Sequence, residues 1–324
     1  MKFSHAKCVL LFSFSMLAFL SPNALAGSEQ SASSRQTFVF LGDSITQAGV
    51  YVADVECWLL AQGREVQVIN AGLSSESATD LVPSENAEHV NRFGFPRPLL
   101  SARLKRTLEI TKPDVLFACY GMNDGNAMQS APDALSRYQM AIENLRDVAK
   151  EAGVKEVVHL TPPIHDAGPG TNADDPHEQN LVAFSEWLVS KRKDGWKVVD
   201  IHGPMRRELD AIRQRDPRFR FQKDGVHPQD AGHWLMAREI LSQYFGADLK
   251  GINASTDLFK ANGKKIRDLV SKRLKNLHSA YLLKIGHERP GVSGGPDSKT
   301  GPSIENAQEK AKKTKAELDL LIHA

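Results

Sequence analysis

Three cysteines in 324 residues cannot build a disulfide framework. Cys8 lies in a short N-terminal apolar run, and Cys57 and Cys119 have no CxxC spacing for zinc or redox work. The longest apolar run, residues 8–20, has 13 residues, short of the roughly 20 needed to span a bilayer. A transmembrane segment is therefore excluded. No Walker loop, dinucleotide fingerprint or zinc signature occurs, so neither a cofactor nor a metal is expected. Internal repeats are missing too, which excludes a solenoid. Nor is there a large excess of either charge, the formal net charge being +2.

What the N-terminus does have is a basic start (Lys2, Lys7), that apolar run, and the small-x-small sequence Ala24-Leu25-Ala26. This is the layout of a signal peptide over residues 1–26 and predicts an exported protein, periplasmic or secreted. Residues 27–245 then carry net −6 and residues 246–324 net +6. An acidic body gives no footprint for nucleic acid. The basic tail reads as solvated helix faces, or else as a surface that touches an anionic one.

Between residues 36 and 245, short apolar runs alternate with helical stretches. Residues 37–41, 65–71, 114–120, 156–161 and 197–201 are rich in Val, Ile and Phe and read as strands. Helices are predicted near 50–62, 98–110, 133–152, 177–192 and 229–245. Strand and helix repeated five times predict an α/β fold with a parallel five-stranded sheet covered on both faces. Such sheets bind ligands beyond the carboxyl ends of their strands. Two connections, residues 81–98 and 162–176, read as long loops that either wall a site or vary on the surface. They hold His89, Arg92 and Arg97, and His165 with Asp166. After Gly246, apolar residues from Leu258 to Tyr281 recur at helical spacing. Residues 286–302 are Gly/Pro-rich, and Ile304 to Leu321 form a second, shorter helical seam. The predicted division is signal 1–26, domain 27–245 and helical extension 246–324.

Polar chemistry gathers at the predicted strand ends. The first strand runs into Gly42-Asp43-Ser44, placing a serine hydroxyl and its N–H where the next helix begins. The second ends in Asn70-Ala71-Gly72, where a glycine N–H can approach a ligand closely. Gly121-Met122-Asn123-Asp124 follows the third and offers a side-chain amide. Ser44 N–H, Gly72 N–H and Asn123 together supply what an oxyanion on a carbonyl needs. Near the end of the body, Asp224-Gly225-Val226-His227-Pro228 puts a carboxylate and an imidazole three residues apart. A serine nucleophile needs a base and a group that orients it, and this pair can supply both. Each segment alone has a plainer reading, as a helix cap or an ordinary turn. His159, His233 and Cys119 read as packed residues.

Taken in order, these four segments resemble the motif blocks of the SGNH or GDSL hydrolases. The resemblance covers residues 36–245. It implies a flavodoxin-like three-layer α/β/α sandwich and serine ester hydrolysis through an acyl-enzyme, with no cofactor. It also implies that Ser44 is the nucleophile, His227 the base and Asp224 its partner, with Gly72 and Asn123 completing the oxyanion hole. Substrate contacts are expected from Asp43, His89, Arg92, Arg97, Asp124 and His165. Those polar loop residues point to a short acyl, such as acetyl, on a carbohydrate or other polar substrate. A lipid, lysophospholipid or aryl esterase, a transacylase, and a non-catalytic glycan- or envelope-binding module remain as alternatives.

Overall fold

The computed structural model describes residues 35–169, 174–298 and 301–323. The predicted signal segment lies outside the described residues. Five strands, β1 (Gln36–Gly42), β2 (Val66–Asn70), β3 (Val115–Cys119), β4 (Glu156–Leu160) and β5 (Lys197–Val199), pair in parallel in the order 2-1-3-4-5. Every residue of β3 is buried, as expected of a strand covered on both faces.

Short helix α1 (Ser44–Ala48) and then α2 (Val50–Ala61) follow β1. The chain continues through α3 (Pro83–Phe93), α4 (Leu104–Thr111), α5 (Met122–Ala127), α6 (Ala134–Glu151), α7 (Pro176–Ser190), α8 (His202–Arg213) and α9 (Asp230–Gln243). The first crossover runs from β1 to β2, and the later ones run the opposite way across the sheet. Because parallel crossovers are right-handed, this reversal sends the helices to opposite faces. α2 packs with α9, while α6 packs with α4 and α7. The reversal also opens a crevice at the carboxyl end of β1, between its neighbours β2 and β3. At the core, Phe40 and Phe117 stack with centroids 4.6 Å apart.

The five predicted strands and the main helices are all present. Segment 81–98, expected as a loop, contains α3. Its larger apolar residues, Val90 and Phe93, are exposed, and its buried residues are Asn86 and His89. It starts instead on cap chemistry. Pro83 opens the first turn, and Glu85 accepts from the Val82 N–H at 2.8 Å. α5 and α8 were also not foreseen, the first being six residues long and the second mostly polar.

Beyond α9, α10 (Gly263–Ile285) and α11 (Ile304–Ile322) form the extension, and α10 packs on the domain. It touches α2, the edge strand β2, and α4 from the opposite helical layer. It therefore lies along the β2 edge. Polar bonds tie it down there. Arg267 Nε meets Asp54 at 2.7 Å, Arg273 Nη2 meets Glu56 at 2.6 Å, and Gln67 donates to the Tyr281 hydroxyl at 2.9 Å. From α4, Arg106 donates to the Ile285 carbonyl.

Arg273 and Glu56 are both buried. Removing one partner leaves an uncompensated charge inside, which typically costs about 3–5 kcal/mol. Arg273→Met should therefore lower stability by several kcal/mol in chemical denaturation. An unchanged midpoint would mean that the extension is not held by this pair.

Candidate active site

Ser44 opens α1 at the end of β1. Asp43 caps that helix, its carboxylate accepting the Ile45 N–H at 2.9 Å. Only glycine fits at position 42, since a Cβ there would lie 2.2 Å from Thr46 Oγ1 and 2.7 Å from the Cys119 carbonyl. The serine hydroxyl stands 2.9 Å from His227 Nε2. The far ring nitrogen, Nδ1, stands 2.7 Å from Asp224 Oδ2, and Asp224 Oδ1 accepts the N–H groups of Val226 and His227. Partial burial pushes the Asp224 carboxyl up, but the hydrogen bonds from His227 and from these two N–H groups outweigh it and hold it at about 2. An ionised Asp224 keeps the proton on Nδ1, so Nε2 is free to accept the Ser44 proton.

The loop carrying Asp224 and His227 is braced from behind. Asp166 N–H donates to the Gly225 carbonyl at 2.9 Å, and Arg213 grips both Asp166 carboxylate oxygens at 2.9 and 2.8 Å. His165, expected in the site, lies on this far side. Its Nδ1 is bonded to Asp175, its ring stacks on His177, and a Cβ on Gly225 would meet its Nε2 at 3.0 Å. It does not line the cleft, whereas His177 does.

Two donors expected on the rim need correction or refinement. Gly72 N–H is already given to Asn70 Oδ1 at 2.9 Å, and Gly72 does not border the cleft. Glycine is needed there because the backbone of α1 sits against it, a Cβ being 2.3 Å from Gln47 N. Three residues on, Ser75 takes a left-handed backbone, φ 66°, and lines the cleft beside Ser74. Its N–H has no hydrogen-bond partner among the described residues. Asn123 also lines the cleft, on the first turn of α5. Its Nδ2 donates to the Glu76 carbonyl at 2.9 Å and its Oδ1 accepts from Arg97 Nη1 at 2.7 Å. That arrangement fixes the amide orientation and leaves the second Nδ2 hydrogen free.

A buried ion pair anchors these donors. Arg103 meets Glu76 Oε1 and Oε2 at 2.5 and 2.6 Å, and Tyr120 Oη donates to Oε2 at 2.6 Å. Arg103 Nη2 also reaches the Ala71 carbonyl at 2.9 Å. Asp124, expected as a substrate contact, belongs to a similar support. It is fully buried and accepts from Ser77 Oγ and the Thr79 N–H, each at 2.8 Å.

The cleft encloses about 770 Å³, and Ser44, Asp224 and His227 lie on its border. Arg92, Arg97 and His89 line it as expected. His89 Nδ1 bonds the Phe95 carbonyl at 2.8 Å, and burial followed by nearby arginines pulls its imidazole below the ordinary range. Asp43, although adjacent to Ser44, does not border the cleft. Arg289 borders it and comes from the extension. No sequence signal tied that residue to the site, because its Gly/Pro-rich segment reads as a linker.

A flavodoxin-ordered sheet, with a serine, histidine and aspartate hydrogen-bonded in series at its switch point, is the framework of an α/β/α ester hydrolase. A model of the GDSL-like lipase/acylhydrolase family matches residues 40–235, and the chain belongs to that family. Among solved structures, it is similar to a catalytic mutant of the acetylxylan esterase Axe2 from Geobacillus stearothermophilus. That match has 22% identity and a TM-score of 0.51, covering 66% of this chain and 95% of that one. LAE5, an alpha/beta hydrolase enzyme from the metagenome of Lake Arreo, matches at 22% identity and a TM-score of 0.49, covering 64% and 94%. BT4096, a gut microbial diltiazem-metabolizing enzyme, matches at 21% and 0.48 over 64% of this chain, which spans only 46% of that protein. No curated protein sequence compared with the chain matches it. The protein is a carboxylic ester hydrolase.

Burial raises the Asp43 carboxyl from 3.8 to about 7, and the Ile45 N–H bond offsets this only partly. A carboxyl raised on folding favours the folded state below its unfolded value, and that stability is lost as pH rises towards 7. Asn caps a helix as well as Asp does. Asp43→Asn should therefore match the wild type in melting temperature near pH 4 and exceed it near pH 8. Parallel melting curves across that range would contradict the assignment.

Proposed function

We propose that this hydrolase acts through Ser44 as nucleophile, His227 as general base and Asp224 as the group that orients His227. The carrying observation is the unbroken hydrogen-bond series from Ser44 Oγ to Asp224 Oδ2, set at the switch point of the sheet. Ser44 Oγ bonds to the ester carbon as its proton passes to Nε2. The carbonyl oxygen becomes an oxyanion facing the N–H groups of Ser44 and Ser75 and the free Nδ2 hydrogen of Asn123. Collapse breaks the bond to the alcohol oxygen, which leaves with the proton from His227. Water, deprotonated by the same imidazole, then attacks the acyl carbon; the bond to Ser44 Oγ breaks, His227 returns the proton to Oγ, and the acid leaves.

The substrate we propose is a short acyl ester, such as acetate, on a carbohydrate or another polar alcohol. What supports this is the lining of the cleft. Asn126, Gln129, Ser130, Arg92 and His89 surround scattered apolar residues, so that polar groups make up much of the lining. Among the described residues no helix is long and apolar enough to cross a membrane. The layout of residues 1–26 supports export. If that holds, protein recovered from its native host begins at Gly27 by N-terminal sequencing, whereas Met1 would argue for retention.

Purified protein should hydrolyse p-nitrophenyl acetate faster than esters of longer acids, and Ser44→Ala should abolish this turnover. Losing one oxyanion donor costs about 10²–10³ in kcat, so Asn123→Ala should fall in that range. Ser75→Gly, which keeps the N–H and suits the left-handed backbone, should retain activity. A preference for long chains would move the substrate to lipids. Equal rates for wild type and Ser44→Ala would leave binding without turnover.

A further inference from the structure

One wall of the cleft is unusually cationic. Arg92, Arg97 and Arg289 all border it, and among the described residues none of them forms an ion pair with a carboxylate. Two of them, Arg289 and Arg92, are connected through a row of rings. Arg289 lies over Phe95 at 4.2 Å, Phe95 packs edge-on to His89 at 4.9 Å, His89 contacts Phe93 at 4.7 Å, and Arg92 lies over Phe93 at 5.1 Å. Arg97 is the inner member, bonded through Nη1 and Nη2 to the amide oxygens of Asn123 and Asn126.

Their hydrogen-bonding capacity is not exhausted. The buried Nε atoms of Arg97 and Arg289 have no partner among the described residues. Arg289 otherwise gives Nη1 to the Pro290 carbonyl, within its own turn. Carboxylates on this wall do not balance the three charges. Glu85 is bound bidentately by Arg137, at 2.5 and 2.9 Å, which leaves Glu88 on the wall, while the buried Asp124 and Asp43 act on Arg97 alone of the three. All three arginines also act on His89, each disfavouring its protonated form. Guanidinium groups of this kind match the fork geometry of carboxylate and sulfate.

We infer that this wall binds an anionic group, a carboxylate or sulfate, carried on the alcohol portion of the ester, so that the substrate is an acylated acidic molecule. The inference rests on the ester-hydrolase reading above. Arg97 stands beside the oxyanion donor Asn123, while Arg92 is exposed and Arg289 partly so, which places the anion outward of the scissile carbonyl. It also gives the extension a part in the site, since Arg289 follows α10.

The test compares 3-acetoxybenzoate with its methyl ester, and 3-acetoxybenzenesulfonate with the corresponding sulfonamide. Each kcat/KM is divided by the hydroxide-catalysed rate of the same ester. A charge-assisted hydrogen bond is worth about tenfold or more, so wild type should favour the charged member of at least one pair by about that factor. The pair that responds tells carboxylate from sulfate. The ratio should fall towards one in Arg289→Gln and in Arg92→Gln, and rising salt should reduce it. Because the ratio is internal to each variant, partial misfolding cancels. A wild-type ratio of one or less for both pairs, with hydrolysis still dependent on Ser44, would overturn the inference. So would a high ratio that survives both substitutions. Absence of Ser44-dependent hydrolysis of all four esters would instead sink the proposed Ser44 reaction itself, and this inference with it.

Discussion

The Glu76–Arg103 pair is the constraint on which the rest of the site depends. Two opposite charges taken out of water are tolerated only where geometry and further hydrogen bonds compensate their desolvation. Here both carboxylate oxygens, Arg103 Nε and Arg103 Nη2 are matched, with Tyr120 and the Ala71 carbonyl as further partners, and only Arg103 Nη1 is left without one among the described residues. The consequence is positional. Glu76 N–H closes a tight turn onto the Leu73 carbonyl, which contains Ser75 in its left-handed conformation. The Glu76 carbonyl takes one hydrogen of Asn123. One acidic residue thereby sets the donors from two different strand ends. Arg103, at the entry to α4, holds that residue in place.

Much of this was legible in the sequence, for reasons that differ by element. The strands were visible because a sheet buried on both faces needs short continuous runs of Val, Ile and Phe. Ser44, Asn123, Asp224 and His227 were visible because side chains of these types can carry such chemistry and their chain neighbours fix their placement. Gly72 was mistaken because an N–H has no side chain to advertise its direction, and Asn70 two residues earlier already accepts it. Ser75, whose N–H has no partner among the described residues, lines the cleft instead. A non-glycine residue at positive φ gives little warning of that backbone.

Asp124 and Asn123 show a second limit. Successive residues on a helix point about 100° apart, so one faces the cleft and the other the interior. His165 fails in the same way, on a loop whose far side braces the turn that carries Asp224 and His227. α3 was hidden because its caps, and not an apolar stripe, define it. His177 and Arg289 lie 133 and 245 residues from Ser44 in sequence, and only the closed fold brings them to the cleft.

The course of α10 along β2 has a bearing on how the molecule behaves among its own copies. β2 is an outer strand, with one side paired to β1 and the other turned away from the sheet. Unpaired strand edges invite pairing with other chains and are commonly covered or charged. α10 covers this one, meeting a helix from each layer as it passes. Lys315 from α11 reaches Glu65, the residue before the strand begins. The extension thus acts as a guard against edge-to-edge aggregation, and a shorter relative would have to protect the same strand by other means.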